Sequence, residues 1–176
     1  MSLIVSPVLD DVYAAVVAFI LGIIPLDAAH VLKGNQNRVA TPTGPYAILN
    51  VITQKRLTTN VDTWDTTIPD PAGIVRQQSI QLEMQVDLYG PASGDWAAIF
   101  STMFRDDYGV QALAPNCAPL HADEPTRAPL ITAESQYLDR WIVRAQLQYS
   151  PVVSTVDQFA TAVEIDVIDA ITHYGP

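Results

Sequence analysis

The sequence predicts an α+β domain over residues 1–176, with a single mainly antiparallel sheet of about four or more strands and two helices packed on one of its faces. Three observations carry this expectation. Ile80, Leu82, Met84, Val86 and Leu88 alternate with Ser79, Gln81, Glu83, Gln85 and Asp87, and a second alternating run passes through Trp141, Val143, Ala145, Leu147 and Tyr149. A period of two is that of a strand with one face in the core. Two other segments, near the N-terminus and after residue 93, repeat their apolar residues at steps of three and four, as helices lying on a sheet do. The order along the chain is α-β-β-α-β-β.

Ser6 followed by Pro7 reads as a helix start, a capping hydroxyl and then a ring whose missing N–H costs nothing in the first turn. The helix is expected to run to about Ile24. Leu9, Val12, Tyr13, Val16, Ile20 and Ile24 share one face, and Ala14, Ala15 and Ala18 fill the other with small groups. So little polar surface predicts burial on more than one side, beneath the sheet or against a neighbouring subunit. Residues 33–45 are loop by their Gly, Asn and Pro content, and lead to a strand over Tyr46–Leu57. That strand is apolar on both faces near Ile48 to Ile52, which predicts a central position.

The next strand is expected from about Ile74 to Tyr89. Between the two lies LTTNVDTWDTTIPDPAG (57–73), a long hairpin loop or extended arm. Pro91, Ser93 and Gly94 close the strand and open the second helix, in which Trp96, Ile99, Phe100, Met103 and Phe104 form one narrow apolar stripe. Arg105 to Tyr108 end that helix, with Gly109 as a left-handed stop. Residues 115–129 hold four prolines, which exclude a regular helix and make any strand there short and peripheral. Ordered loops of this length are usually functional or interfacial. After the strand through Trp141, Phe159, Val163, Ile165 and Val167 alternate with Glu164 and Asp166 as a last strand, followed by a short tail.

The composition, 49% apolar and 16% charged over 176 residues, is that of a folded chain. A chain of this size buries roughly 70% of its unfolded surface, enough for a core without disulfide or metal. Cys117 is the single cysteine and reads as a small apolar residue. Nineteen acidic residues against nine basic ones give a net charge of -10, which repels phosphate and weighs against nucleic-acid binding. The uncharged run Val12–Leu26 falls short of the ~20 residues that cross a bilayer. Asp10 and Asp11 precede it, where a signal peptide carries basic residues. A soluble, cytoplasm-assembled protein without a membrane partner is expected.

Chemistry-bearing constellations are weak. His30, His121 and His173 lack the spacing of metal ligands, and the His121, Asp123, Glu124 segment reads as a solvated acidic loop. GxSxG, P-loop, GxGxxG and CxxC motifs do not occur. The neighbouring carboxylates Asp106 and Asp107, or Asp62 and Asp65, read as solvated faces of an acidic protein. No catalytic residue, cofactor or metal is therefore expected. Trp64, a large aromatic in a polar loop, either plugs the local core or anchors a protein contact. Lys55 and Arg56 read as exposed surface, with pairing to another subunit's acids as the alternative.

Five segments, GNQNRV (34–39), RLTTNVDTWD (56–65), VDLYGPASGDW (86–96), STMFRDDYGV (101–110) and YLDRWIVRAQLQYSPVV (137–153), resemble in order the neck-terminator and tail-terminator-like proteins of tailed phages and prophages. The likeness spans about residues 30–170. It implies a non-enzymatic virion component that caps the head-proximal end of the tail tube and joins it to the head. Such proteins are rings, commonly hexamers, of α/β subunits. Their partners would be further copies of the chain, the tail tube protein and the head–tail connector or stopper, with the sheath as a further candidate. DNA would pass through the ring without sequence-specific binding. Under the resemblance, Arg56, Asn60, Asp62 and Trp64 match the family's loop segment, and Arg105, Asp106 and Asp107 its helix-end segment. These seven are the candidate assembly contacts. The alternatives are another head–tail joining or tail-completion protein, and a small-molecule-binding α+β domain marked by a closed apolar cavity with convergent polar groups.

Overall fold

The two alternating runs form ten-residue strands that pair antiparallel along their whole length, from Ile80 opposite Tyr149 to Tyr89 opposite Arg140. The computed structural model describes residues 4–36, 40–65, 73–131 and 137–156. In chain order these form β1 (Ile4–Ser6), α1 (Leu9–Ile23), a 3-10 turn (Ala28–His30), β2 (Val31–Lys33), β3 (Tyr46–Arg56), β4 (Val61–Asp65), β5 (Gly73–Gln77) and β6 (Ile80–Tyr89). There follow α2 (Ser93–Phe104), α3 (Asp107–Leu113), β7 (Ala118–Ala122), β8 (Thr126–Arg127), β9 (Leu130–Ile131), β10 (Tyr137–Leu138), β11 (Arg140–Tyr149) and β12 (Val152–Val156).

The α+β class stands, but the single sheet does not. A large sheet has the order β2-β3-β6-β11-β7, with β8 also on β11, and a small sheet has the order β1-β12-β5-β4. All pairs are antiparallel except β2 with β3. The strand expected over 74–89 divides at Gln78–Ser79, and the strand through Trp141 runs on past Ser150–Pro151 into the small sheet. At this crossing the Gln78 N–H donates to the Pro151 carbonyl (3.2 Å), and the Ser79 and Ser150 hydroxyls lie 3.2 Å apart. Proline has no N–H to give a ladder, so the large sheet ends there. In the stretch expected to be loop, Val61–Asp65 pairs with β5; its Thr and Asp content concealed an edge strand. The strand expected over 159–167 lies outside the described residues.

Helix boundaries differ for local reasons. Ser6 belongs to β1, opposite Val152, and α1 starts after Val8. The Asp11 carboxylate accepts the Val8 N–H at 2.8 Å, so an acid in the first turn performs the capping assigned from sequence to Ser6. A third helix follows α2. The chain turns at Arg105, and the Asp106 carboxylate accepts the Asp107 N–H at 2.8 Å at the start of α3. Gly109 lies inside α3 and is not a stop: a Cβ there would stand 2.7 Å from the Phe104 carbonyl oxygen, so glycine lets α3 sit against the end of α2.

All three helices contribute to one core on one face of the large sheet, with Phe19, Phe100, Leu82, Met84, Val86 and Leu147 buried at its centre. Phe19 meets Phe100 and Phe104 edge-on at 5.6 and 6.0 Å, and each such fully buried side chain stabilises by about 1.5–3 kcal/mol. The inward face of α2 is Trp96, Ala97, Phe100 and Phe104 with Ser93 and Ser101. Ile99, placed on the apolar stripe from sequence, is 40% exposed. Along β3 the register slips between Val51 and Thr53. This bulge turns Ile52 outward, and the Val51 N–H donates to the Tyr13 hydroxyl at 3.2 Å. The first half of β3 is thus central and buried, while Thr53–Arg56 is exposed.

Candidate assembly surface

The seven candidate contacts fall in two places. Arg56 ends β3, Asn60 lies in the link to β4, and Asp62 and Trp64 are on β4, all exposed. Asp62 stands opposite Arg76 on β5, 3.8 Å from its guanidinium, and Arg76 also donates to Thr155 on β12 at 2.8 Å. Strand pairing places Trp64 opposite Ile74 with 55% of its surface exposed. With that exposure Trp64 does not plug a local core.

Arg105, Asp106 and Asp107 sit at the α2–α3 junction. Arg105 donates to the Ala122 carbonyl and lies 3.4 Å from Glu124, tying the end of α2 to β7. Asp106 is occupied in capping, and Asp107 accepts from Gln111 one turn on. These are structural tasks with exposed remainders. No hydrogen bond or ion pair among the described residues joins the two groups.

Two features escaped the sequence reading. On the sheet face away from the helices, Asp87 is buried and accepts from Arg140 (2.9 and 3.2 Å), Gln85 (2.9 and 3.0 Å) and Asn50 (3.3 Å). Tyr46 and Tyr89 stack beside it at 4.4 Å, and burial pushes both phenols up. The alternating pattern marked this face as polar but gave no sign that three strands meet on one carboxylate. The second is a shallow apolar cleft of about 280 Å³ on the outer face of α2, lined by Ala98, Ile99, Thr102 and Met103. Its signal was Ile99 and Met103 on the apolar stripe; Met103 also packs against the core as the stripe predicts, whereas Ile99 is exposed.

Several other titratable groups have partners within the chain. Asp27 lies 2.6 Å from His30, lowering the carboxyl and raising the imidazole through their hydrogen bond. His121 is 3.5 Å from Asp123, while Glu124 faces Arg105, so the acidic loop divides between two partners. Burial pushes the Cys117 thiol up to about 11, far from a reactive thiolate at neutral pH. The larger cleft, about 430 Å³ between Pro7, Gln77, Cys117 and Tyr149, is open to solvent. Among the described residues no three His, Cys, Asp or Glu side chains gather as metal ligands.

Among the described residues these polar groups hold strands and helix ends together in an α+β fold whose surface sets apolar side chains beside charges. The family of phage neck terminator proteins matches the chain over residues 10–174, and the chain belongs to that family, a structural family of the phage neck and tail. No curated protein matches the chain.

Proposed function

We propose that this protein is a ring subunit that caps the head-proximal end of the tail tube and joins the tail to the head connector. The observation that carries the proposal is the family match across residues 10–174. Two exposed groups of apolar and charged residues, at the β3–β4 corner and on the α2–α3 side, support it as the surfaces such a subunit needs. Arg56, Asn60, Asp62 and Trp64 in the first group, and Arg105, Asp106 and Asp107 in the second, are the contacts it would use. The mechanism is geometric. A closed ring matches the rotational symmetry of the tube, and its far face, differing from a tube layer, halts growth and offers the connector a seat. Its partners are copies of itself, the tube protein and the connector or stopper, and it assembles in the host cytoplasm before entering the virion.

The test is the mass of the purified chain by light scattering over a range of concentrations, alone and with tail tubes. A discrete ring, formed alone or on tube ends, is expected. Long stacks would instead identify a tube subunit, and a monomer that ignores tubes would refute the reading.

A further inference from the structure

Among the described residues most basic side chains are paired, and the exception is informative. Lys33, Arg76, Arg105, Arg127, Arg140 and Arg144 each sit beside a carboxylate of the same chain. Lys55 and Arg56, adjacent at the exposed end of β3, have no acidic partner among the described residues. The same end of the molecule exposes Ile52, Leu57, Val61 and Trp64. This exposed corner carries apolar side chains with a cation on each face of β3, in a chain of net charge -10.

The outer face of α2 has the opposite character. Asp95, Ala98, Ile99, Thr102 and Met103 follow steps of three and four and so lie along one side of the helix. The apolar cleft occupies the middle of that side. Asp95 stands at one end of it, and Asp106 and Asp107 follow just past the other.

We infer that the α2 cleft is the docking site for the β3–β4 corner of a second copy of this chain, with Lys55 and Arg56 of one copy seated among Asp95, Asp106 and Asp107 of the next. An apolar corner flanked by cations fits an apolar cleft flanked by carboxylates, and interfaces of this kind draw specificity and register from such charges. The contact joins two different surfaces, so it is heterologous. Such a contact leaves a fresh corner and a fresh cleft at the ends of every growing chain of subunits, and closes only as a ring. The inference rests on the ring reading above and adds which surfaces make the ring.

Charge reversal tests it on the full chain. One variant carries Lys55→Glu with Arg56→Glu, and the other Asp95→Lys with Asp107→Lys; all four positions are exposed. Asp106 is left alone because it caps α3. Each variant alone sets like charges against each other across the contact, and its assembly midpoint by light scattering should rise by at least about tenfold. Mixed in equal amounts, the two offer opposite charges at every contact and should restore assembly to within about threefold of the parent chain. Ile99→Lys, which fills the cleft with a charge, should fail to assemble with either partner. Circular dichroism of each variant checks that the fold persists. A parent ring indifferent to these changes, or variants that lose assembly without rescue on mixing, would overturn the inference and leave the ring reading standing. A parent chain that is monomeric at every concentration and on tubes would overturn both.

Discussion

Arg140→Ala is the most informative single perturbation of the fold, because it removes the cation from a carboxylate that cannot reach water. Asp87 is 2% exposed, and Arg140 holds it with two hydrogen bonds of 2.9 and 3.2 Å. Removing one partner of a buried ion pair costs about 3–5 kcal/mol. The lower end applies here, since the Arg140 side chain is 23% exposed and Gln85 and Asn50 still donate to Asp87 in the variant. At about 2–4 °C of melting temperature per kcal/mol for a chain of this size, a loss of about 3 kcal/mol lowers Tm by about 6–12 °C. Thermal unfolding followed by circular dichroism measures it. The double variant Asp87→Ala/Arg140→Ala removes both charges and should be less damaged than the two single losses added together, with a coupling of at least about 1 kcal/mol. A Tm for Arg140→Ala within about 2 °C of the parent, or strictly additive losses, would refute the claim that these two residues form one buried unit.

Phe100→Asp should unfold the chain, because the ring is fully buried and a carboxylate there has no partner. Ile99→Asp on the same helix should change stability by no more than about 0.5 kcal/mol, and equal damage from both would contradict the orientation of α2. Cys117 should react with Ellman's reagent slowly in the native protein at pH 8 and at once in denaturant. Its burial favours the neutral thiol, a contribution present below the ordinary thiol value and lost as pH climbs toward about 11. His30 should titrate by NMR above the ordinary imidazole value and move back down in Asp27→Asn. The raised imidazole contributes stability at low pH that disappears as pH rises through its folded value, whereas the lowered Asp27 carboxyl contributes stability that disappears as pH falls.

Periodicity made the principal strands and the faces they bury legible. Leu82, Met84, Val86 and Leu88 are all buried, as their alternation required, and the β3 and α2 boundaries fall within about two residues of expectation. What could not be read depends on partners distant in sequence. The division into two sheets occurs where Gln78 meets Pro151 and Ser79 meets Ser150, residues that mark no boundary when read singly. Strand β4 is a strand because β5 pairs with it, whatever its Thr and Asp content suggests. Gly109 at the end of an apolar stripe resembles a helix stop, yet it serves a close approach between two helices. The candidate contacts were legible as exposed residues, but their local duties were not. Arg105 ties α2 to β7, Asp106 caps α3 and Asp107 accepts from Gln111, so each already has a partner within the chain.

The junction between the two sheets bears on how the chain transmits force. Strands β3, β6 and β11 are adjacent, with Arg56 opposite Ile80 and Ile80 opposite Tyr149, and all three continue into the small sheet from that same end. A pull on the small sheet along the strands therefore enters the large sheet through three parallel tethers, and β1 adds a fourth link, into α1. Because β6 and β11 are drawn in the same direction, their mutual ladder is not opened one bond at a time like a zip; yielding requires the central strands to slide together beneath the packed helices. A load on this end of the molecule is therefore coupled through covalent chain to the strands that carry the middle of the hydrophobic core.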